Sequence, residues 1–182
     1  MRQAAVFVIL IGEMDILPEI LDRRSFRAFN SKAVEKGKLD RILKAGQLAP
    51  SAKNRQEWRF IVSQKALLRK KIQEAAFGQE HVGQAPVIIA GCTTNIDYRM
   101  PNGQLSFPVD IAFAASFMIL QATREDLGSC IVTTFDEQEI KDLLNVPYAM
   151  KVVMLILIGH YDKKPEPAQR KTLKRIVSYD HW

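Results

Sequence analysis

The sequence predicts an α+β domain built around a small mixed sheet, and three observations support this fold class. The chain has 182 residues, 47% hydrophobic and 25% charged, so one domain with a sizeable core is expected. Helix-like and strand-like segments interleave irregularly, with no internal repeat or low-complexity segment. The spacing between the strand-like segments varies too much for a barrel or a repeat, which leaves helices packed on a sheet.

The first half of the chain alternates short helices with strands. Residues 17–22 predict a short helix with Pro18 in its first turn. An amphipathic helix is predicted over 38–48, ending near Pro50, because apolar side chains recur there at helical spacing. The next elements are a strand over 58–62, an amphipathic helix over 66–77 and a buried strand over 86–91.

The longest predicted helix covers residues 109–125, after an irregular segment that turns at Pro101, Asn102 and Gly103. This helix is apolar almost all round, which predicts burial on most sides, in a core or a subunit interface. Gly128 is expected to end it.

The remaining elements are a strand over 130–134, a helix over 137–144 and a strand over 152–160. A basic tail follows Pro165 and Pro167.

Three arginines and a serine lie close together just after the first helix, at Arg23, Arg24, Ser25 and Arg27. A guanidinium presents a flat fork of donors that fits two oxygens of a phosphate. In an extended segment Arg23, Ser25 and Arg27 would share one side, with Arg24 and Phe26 on the other. The cluster therefore suits a ligand with a terminal phosphate, although a solvated basic face would show the same spacing.

Two further stretches carry polar side chains suited to a ligand. Asn54, Gln56 and Trp58 alternate, so the carboxamides are expected to share a face as the loop becomes a strand. Carboxamides offer donors and acceptors to the edge of a flat heterocycle, but they also cap loops. Arg170 and Lys171, beyond the loop that follows residues 159–161, either add phosphate contacts or belong to a solvated tail.

Charge and cysteine content limit the class of protein. The net charge of +6 permits an anionic partner without choosing among nucleotide, nucleic acid and acidic lipid. Cys92 and Cys130 lack metal-ligand spacing and read as buried reduced thiols in a cytoplasmic protein. No run reaches the length of a membrane span. Met14 is a plausible start, so residues 1–13 are expected to be an extension before one domain over 14–182.

Four stretches in order resemble the nitroreductase family of FMN-dependent oxidoreductases: DRRSFRAF, APSAKNRQEWRFIV, VDIAFAASFMILQATREDLGSC and GHYDKKPEPAQRKTLKRIVSYDHW. The resemblance covers residues 14–182. It implies a mostly antiparallel sheet flanked by helices, and an intertwined homodimer with two FMN sites at its interface.

The resemblance also implies roles for individual residues. Arg23 and Ser25 match residues at the FMN phosphate and ribityl end, while Arg27 matches a cation near flavin N1 and O2. Asn54 resembles an amide at the pyrimidine edge, and Gln56 lies in the same motif. The remaining candidates are Arg24 in the cluster, Arg170 and Lys171 at the phosphate, and Thr133 or Thr134 near flavin N5.

The chemistry implied by the resemblance is hydride transfer from NAD(P)H through flavin N5 to a small acceptor, such as a nitroaromatic or a quinone, in a ping-pong order. No protein nucleophile and no metal are expected, and Arg27 would favour the reduced flavin. Glu57 stands where a proline is common in the family, and the segment 93–108, which often lines the substrate opening in the family, is short.

Two other classes of function remain open at this point. The first is an FMN carrier or sensor without efficient NAD(P)H turnover, which would be coloured but would not oxidise pyridine nucleotides. A basic nucleic-acid-binding module would use the same cationic clusters. Those clusters lack interleaved aromatic residues, and no helix-turn-helix or RNA-binding signature is present, so neither nucleic acid nor membrane is expected as a partner.

Overall fold

The computed structural model describes residues 15–182, which form a four-stranded sheet with helices on both faces. The helices are α1 (Pro18–Asp22), α2 (Lys36–Gln47), α3 (Ala66–Ala75), α4 (Glu80–Gln84), α5 (Phe107–Arg124) and α6 (Glu137–Leu144). The strands are β1 (Trp58–Ser63), β2 (Val87–Thr93), β3 (Gly128–Val132) and β4 (Lys151–Gly159). The expected extension over 1–13, with a start at Met14, lies outside the described residues.

The sheet has the strand order β1-β2-β4-β3, and every pair of neighbouring strands is antiparallel. An isolated parallel bridge joins Ser25 to Ser129 at the β3 edge. The α+β class and the mostly antiparallel sheet are therefore confirmed. β1 and β3 are the two edge strands, whereas β2 and β4 are paired on both sides.

Side chains alternate along the central strands, so each face of the sheet has its own core. Along β4, Leu155 and Leu157 pack with residues of α3, α4 and α6. Ile156 and Ile158 point the other way and pack with residues of α2 and α5. All four of these side chains are fully buried, which explains why β4 reads as a continuous apolar run rather than an alternating one.

The long helix α5 is buried along only one of its faces. Ile111, Ala115 and Met118 pack into the core beneath the sheet. Val109, Phe113 and Phe117 recur every four residues on another face and are 37%, 45% and 39% exposed. Among residues 15–182 the helix is thus less covered than its composition suggests, and its exposed apolar face is compatible with the predicted subunit interface.

The structure differs from the predicted elements most clearly at the start of β3 and at α4. Gly128 does not end α5 but begins β3, and the left-handed residue after the helix is Asp126 (φ 57°). β3 therefore begins and ends two residues before the predicted strand. The five-residue helix α4 has too few turns to show a periodic pattern in the sequence.

The two cysteines lie in the sheet and are free and buried, as predicted. Burial raises the pKa of the Cys92 thiol to about 11, and burial likewise raises the pKa of Cys130. Neither thiol therefore has the character of a reactive nucleophile.

Candidate functional site

A groove beside α1 collects most of the predicted phosphate ligands. It has a volume of about 660 Å³ and is lined by four arginines, Ser25 and one acidic residue, together with apolar side chains. The polar lining residues are Arg23, Arg24, Ser25, Arg27, Glu166 and Arg170. The groove is thus strongly cationic, and its two walls are the segment after α1 and the loop after β4.

Residues 23–27 reach this position because Phe26 anchors them to the sheet. The Phe26 backbone N–H donates to the Ser129 carbonyl over 2.9 Å, and its buried ring lies 4.2 Å from the Tyr161 ring, centroid to centroid. The prediction that Phe26 points away from Arg23, Ser25 and Arg27 is confirmed. The matching prediction for Arg24 is wrong, since Arg24 lines the same groove.

Arg24 is folded back against the end of α1. Its Nη1 atom donates to the Leu21 carbonyl over 2.6 Å and to the Arg23 carbonyl over 3.0 Å. These carbonyls lie at the C-terminal end of the helix, where a cation is favourable. Its Nε atom is buried and has no hydrogen-bond partner within residues 15–182. Arg24 therefore keeps three N–H donors, one on Nε and two on Nη2, that no group of residues 15–182 accepts.

The loop after β4, which forms the second wall of the groove, is held to α1 and to the segment after α1 by side-chain hydrogen bonds. Lys164 donates to Asp22 over 2.8 Å, and this hydrogen bond lowers the pKa of the Asp22 carboxyl. The side chain of Asn30 donates to Asp162 over 2.9 Å. Arg170 is carried to the groove by this loop, whereas Lys171 is exposed and does not line it.

The loop that contains Asn54 and Gln56 is not extended, so the predicted alternation with Trp58 is wrong. Residues Ala52–Asn54 form a 3-10 turn, and β1 begins only at Trp58. Lys53, Asn54 and Gln56 have left-handed φ values of 52°, 55° and 52°. Both carboxamides are exposed, and that of Gln56 donates to the Asn54 carbonyl over 3.2 Å.

This loop and the arginine groove lie at opposite ends of α5. The Ala52 N–H donates to the buried Asp110 carboxylate over 2.9 Å, at the start of the helix. Glu19 of α1 pairs with Arg124 over 2.8 Å, at the end of the helix. Fourteen residues of helix separate Asp110 from Arg124, which corresponds to about 21 Å. A single chain therefore does not bring Asn54 together with the arginines.

Thr133 and Thr134 follow β3 instead of lying in it, and both are exposed. The Thr134 carbonyl accepts from the Gln79 side chain over 2.8 Å. Neither residue lines the groove. The middle of β3 instead borders a separate crevice that shares Arg23 and Ser25 with the groove. This small crevice is lined by Arg23, Ser25, Ile119 and residues 129–131.

The sequence patterns did not predict the apolar side of the groove or the hydrogen bonds that hold its two walls together. Ile20, Leu21, Pro165 and Pro167 line the groove beside the arginines. The signal for Pro165 and Pro167 was present, because a proline-containing loop precedes Arg170. No local pattern reveals the contact between Lys164 and Asp22, which are far apart in sequence.

Two classes of site are not found in the part of the chain that the structure describes. No group of three or more His, Cys, Asp or Glu side chains is placed to hold a metal ion. No helix there is long and apolar enough to span a membrane.

Comparison with known proteins identifies the family. The sequence model of the nitroreductase family matches residues 20–82 and 75–160. A protein of Thermus thermophilus named NADH dehydrogenase is 27% identical, over 90% of this chain and 95% of its own. A protein of Archaeoglobus fulgidus named putative NADH dehydrogenase/NAD(P)H nitroreductase is 30% identical, over 80% of this chain and 85% of its own.

Solved structures agree with this family. An FMN-dependent nitroreductase of Clostridium difficile superposes with a TM-score of 0.81 at 27% identity, covering 92% of this chain and 100% of its own. The fold and the cationic groove define a nitroreductase-like α+β protein. The chain belongs to the nitroreductase family, and it is an oxidoreductase.

Proposed function

We propose that this protein is an FMN-dependent oxidoreductase that takes a hydride from NAD(P)H and passes it to a small oxidised acceptor, such as a nitroaromatic or a quinone. The observation that carries the proposal is the groove lined by four arginines and Ser25. The similarity to an FMN-dependent nitroreductase supports the identity of the cofactor.

The residues of the groove fit the phosphate end of FMN. Guanidinium groups bind phosphate oxygens in pairs, and Arg23, Arg24 and Arg170 approach the groove from both of its walls. Arg24 lines the groove, and its Nη2 donors have no acceptor among residues 15–182, so they are available to a phosphate oxygen. Ser25 adds a hydroxyl beside them. The assignment of Lys171 to the phosphate has less support than that of Arg170, because Lys171 lies outside the groove.

Arg27 is proposed to act on the ring of the cofactor. When bound, FMN supplies reversible hydride chemistry, and the protein supplies orientation and electrostatics. A fixed guanidinium near the ring stabilises the negative charge that reduction brings. NAD(P)H and the acceptor would use the same opening in turn, which is a ping-pong order. Thr133 stays a candidate for tuning the ring, with no contact to the groove that supports it.

A homodimer would complete this site. The exposed stripe Val109, Phe113 and Phe117 needs a cover, and a two-fold axis perpendicular to α5 would place two copies of the helix antiparallel across it. The start of one helix would then lie beside the end of the other. That arrangement brings Asn54 of the partner subunit toward the arginine groove, whereas within one chain the Asn54 loop and the groove lie at opposite ends of α5.

The activity is tested by following the visible spectrum of the purified protein under anaerobic conditions. Protein carrying FMN should bleach when NADH or NADPH is added, and a quinone or nitroaromatic should restore the colour. Protein that holds FMN but is not reduced by either nucleotide would be a flavin carrier or sensor. Protein that takes up no FMN would rule out the proposal.

A further inference from the structure

A cluster of two cations and one aromatic ring joins the Asn54 loop to the segment after β2. We call it the Tyr98 cluster; its residues are Lys53, Arg55, Glu57, Asn95 and Tyr98. The Arg55 guanidinium lies 4.4 Å from the centroid of the Tyr98 ring, and the Lys53 ammonium lies 5.7 Å from it. Both distances are in the range of a cation–π interaction, so one ring holds two positive charges.

Arg55 is fixed in place by Glu57. Its Nη2 atom donates to the Glu57 carboxylate over 3.1 Å, and Asn95 donates to the same carboxylate oxygen over 3.0 Å. The hydrogen bond from Arg55 lowers the pKa of Glu57, so the carboxylate stays charged at neutral pH. The Nε and Nη1 atoms of Arg55 have no hydrogen-bond partner among residues 15–182. This guanidinium therefore keeps donors for another acceptor.

Lys53 brings a charge that no acidic side chain of residues 15–182 balances. It makes no ion pair in this part of the chain, whereas Arg55 is paired with Glu57. Its backbone is left-handed, with φ 52° and ψ 26°, which is a conformation that glycine adopts more readily than lysine. Such a conformation is unfavourable for a side-chain-bearing residue, and it is often kept where function requires it.

We propose that Lys53 and Arg55 bind an oxyanion carried by the substrate: a carboxylate, sulfonate or phosphate. This inference rests on the proposed function, in which Asn54 lies at the pyrimidine edge of FMN. Lys53 and Arg55 flank Asn54 in the chain, so both cations would stand at the opening used by donor and acceptor. An acidic aromatic acceptor and the pyrophosphate of NAD(P)H share this chemistry.

The test compares two acceptors that differ by one acidic group, nitrobenzene and 4-nitrobenzoate, in the FMN-loaded protein. Lys53→Gln removes the unbalanced charge and keeps a long polar side chain. Lys70→Gln is the matched control, because Lys70 is also exposed but lies in α3, away from the Tyr98 cluster. The Michaelis constants for both acceptors and for NADH are measured at low and high salt.

We expect Lys53→Gln to raise the ratio of the 4-nitrobenzoate KM to the nitrobenzene KM, or the KM for NADH, by roughly fivefold at low salt. The first result assigns the oxyanion to the acceptor and the second to the donor. The effect should shrink at high salt, and Lys70→Gln should show none.

The inference would be overturned if the wild type reduces both acceptors and the KM values change equally in Lys53→Gln and Lys70→Gln. That result would leave the proposed function intact. A wild-type protein that binds FMN but is reduced by neither NADH nor NADPH would overturn both. Arg55→Gln serves as a second variant, and it should reproduce the direction of the Lys53→Gln effect.

Discussion

The ring of Phe26 lies so close to Gly128 that a Cβ at Gly128 would come within 2.7 Å of the ring. Gly128 pairs with Gly159 across β3 and β4, and a Cβ at Gly159 would come within 2.9 Å of Phe29. The segment that bears the arginines therefore packs two aromatic rings, Phe26 and Phe29, against two glycines that pair with each other in the sheet. These contacts fix where the segment, and hence the groove, lies on the sheet.

Gly128→Ala should disturb both stability and cofactor binding. The added methyl group must displace the buried Phe26 ring, which costs about 1–3 kcal/mol of unfolding free energy. Because Arg24, Ser25 and Arg27 surround Phe26 in the chain, FMN affinity should fall as well. Thermal unfolding and FMN titration measure the two effects.

Gly37→Ala is the matched control for this prediction. A Cβ there meets only the end of the Arg41 side chain at 3.5 Å, and Gly37 lies in α2, where alanine is the better helix former. The variant should be unchanged or slightly more stable. If Gly128→Ala behaves like Gly37→Ala, the Phe26 contact does not position the groove.

Phe113→Glu should separate the two subunits. Phe113 is 45% exposed on α5, so a charge there is tolerated by one chain but not in an apolar interface between two. Light scattering at micromolar concentration should give about twice the 20.7 kDa chain mass for wild type and about 20.7 kDa for the variant. FMN affinity should drop by about tenfold or more, because the partner's loop is lost.

Leu67→Glu controls for the added charge. Leu67 is 70% exposed and lies on α3, which packs on the other face of the sheet. This variant should stay dimeric and keep its FMN. A wild-type protein that is monomeric and still holds FMN would contradict the composite site.

Glu137 should make stability depend on pH. Burial alone would raise the pKa of this carboxyl, but hydrogen bonds from Lys151, the Val152 N–H and Lys141 outweigh it, so the pKa lies below 4.5. A carboxyl with a depressed folded-state pKa stabilises the fold above its unfolded pKa. That contribution is lost as the pH falls from about 4.5 through the lower folded-state pKa.

Glu137→Gln should therefore lower the free energy of unfolding by about 1 kcal/mol at pH 7; the loss is modest because the carboxylate is partly exposed and its interactions are screened. Denaturant unfolding of both proteins should show that this difference in free energy becomes smaller below pH 4.5. Glu139→Gln, on the same helix but exposed, is the control and should have little effect at either pH. A Glu137→Gln difference that stays constant with pH would contradict the assignment.

Much of the fold could be predicted because its elements carry strong local patterns. α6 has the predicted bounds, and β4 is displaced by a single residue, since each is a periodic or continuous apolar segment. The inward position of Phe26 followed from alternation in an extended segment. Arg24 broke the same rule because its long side chain folds back onto the carbonyls of α1, a contact that alternation does not describe.

The Asn54 loop could not be predicted from residue spacing. Three side-chain-bearing residues there adopt left-handed backbone, and nothing in the local sequence requires a glycine-like conformation. The separation of Asn54 from the groove depends on tertiary contacts at the two ends of α5. The exposed stripe on α5 was predicted only as burial of some kind, because periodicity does not say whether a core or a partner supplies it.

The most direct test of the arginine groove is a flavin potential titration of wild type, Arg23→Ala and Arg27→Ala, with FMN affinity measured in both redox states. Arg23→Ala should weaken FMN binding roughly tenfold to a hundredfold in both states, because the phosphate charge does not change on reduction. Arg27→Ala should weaken the binding of reduced FMN more than the binding of oxidised FMN, because negative charge appears on the ring only on reduction. If that difference is about 1.4 kcal/mol, the midpoint potential falls by about 30 mV. A lowered potential in Arg23→Ala with none in Arg27→Ala would reverse the two assignments. Unchanged affinity and potential in both variants would contradict the central claim that this groove holds the flavin.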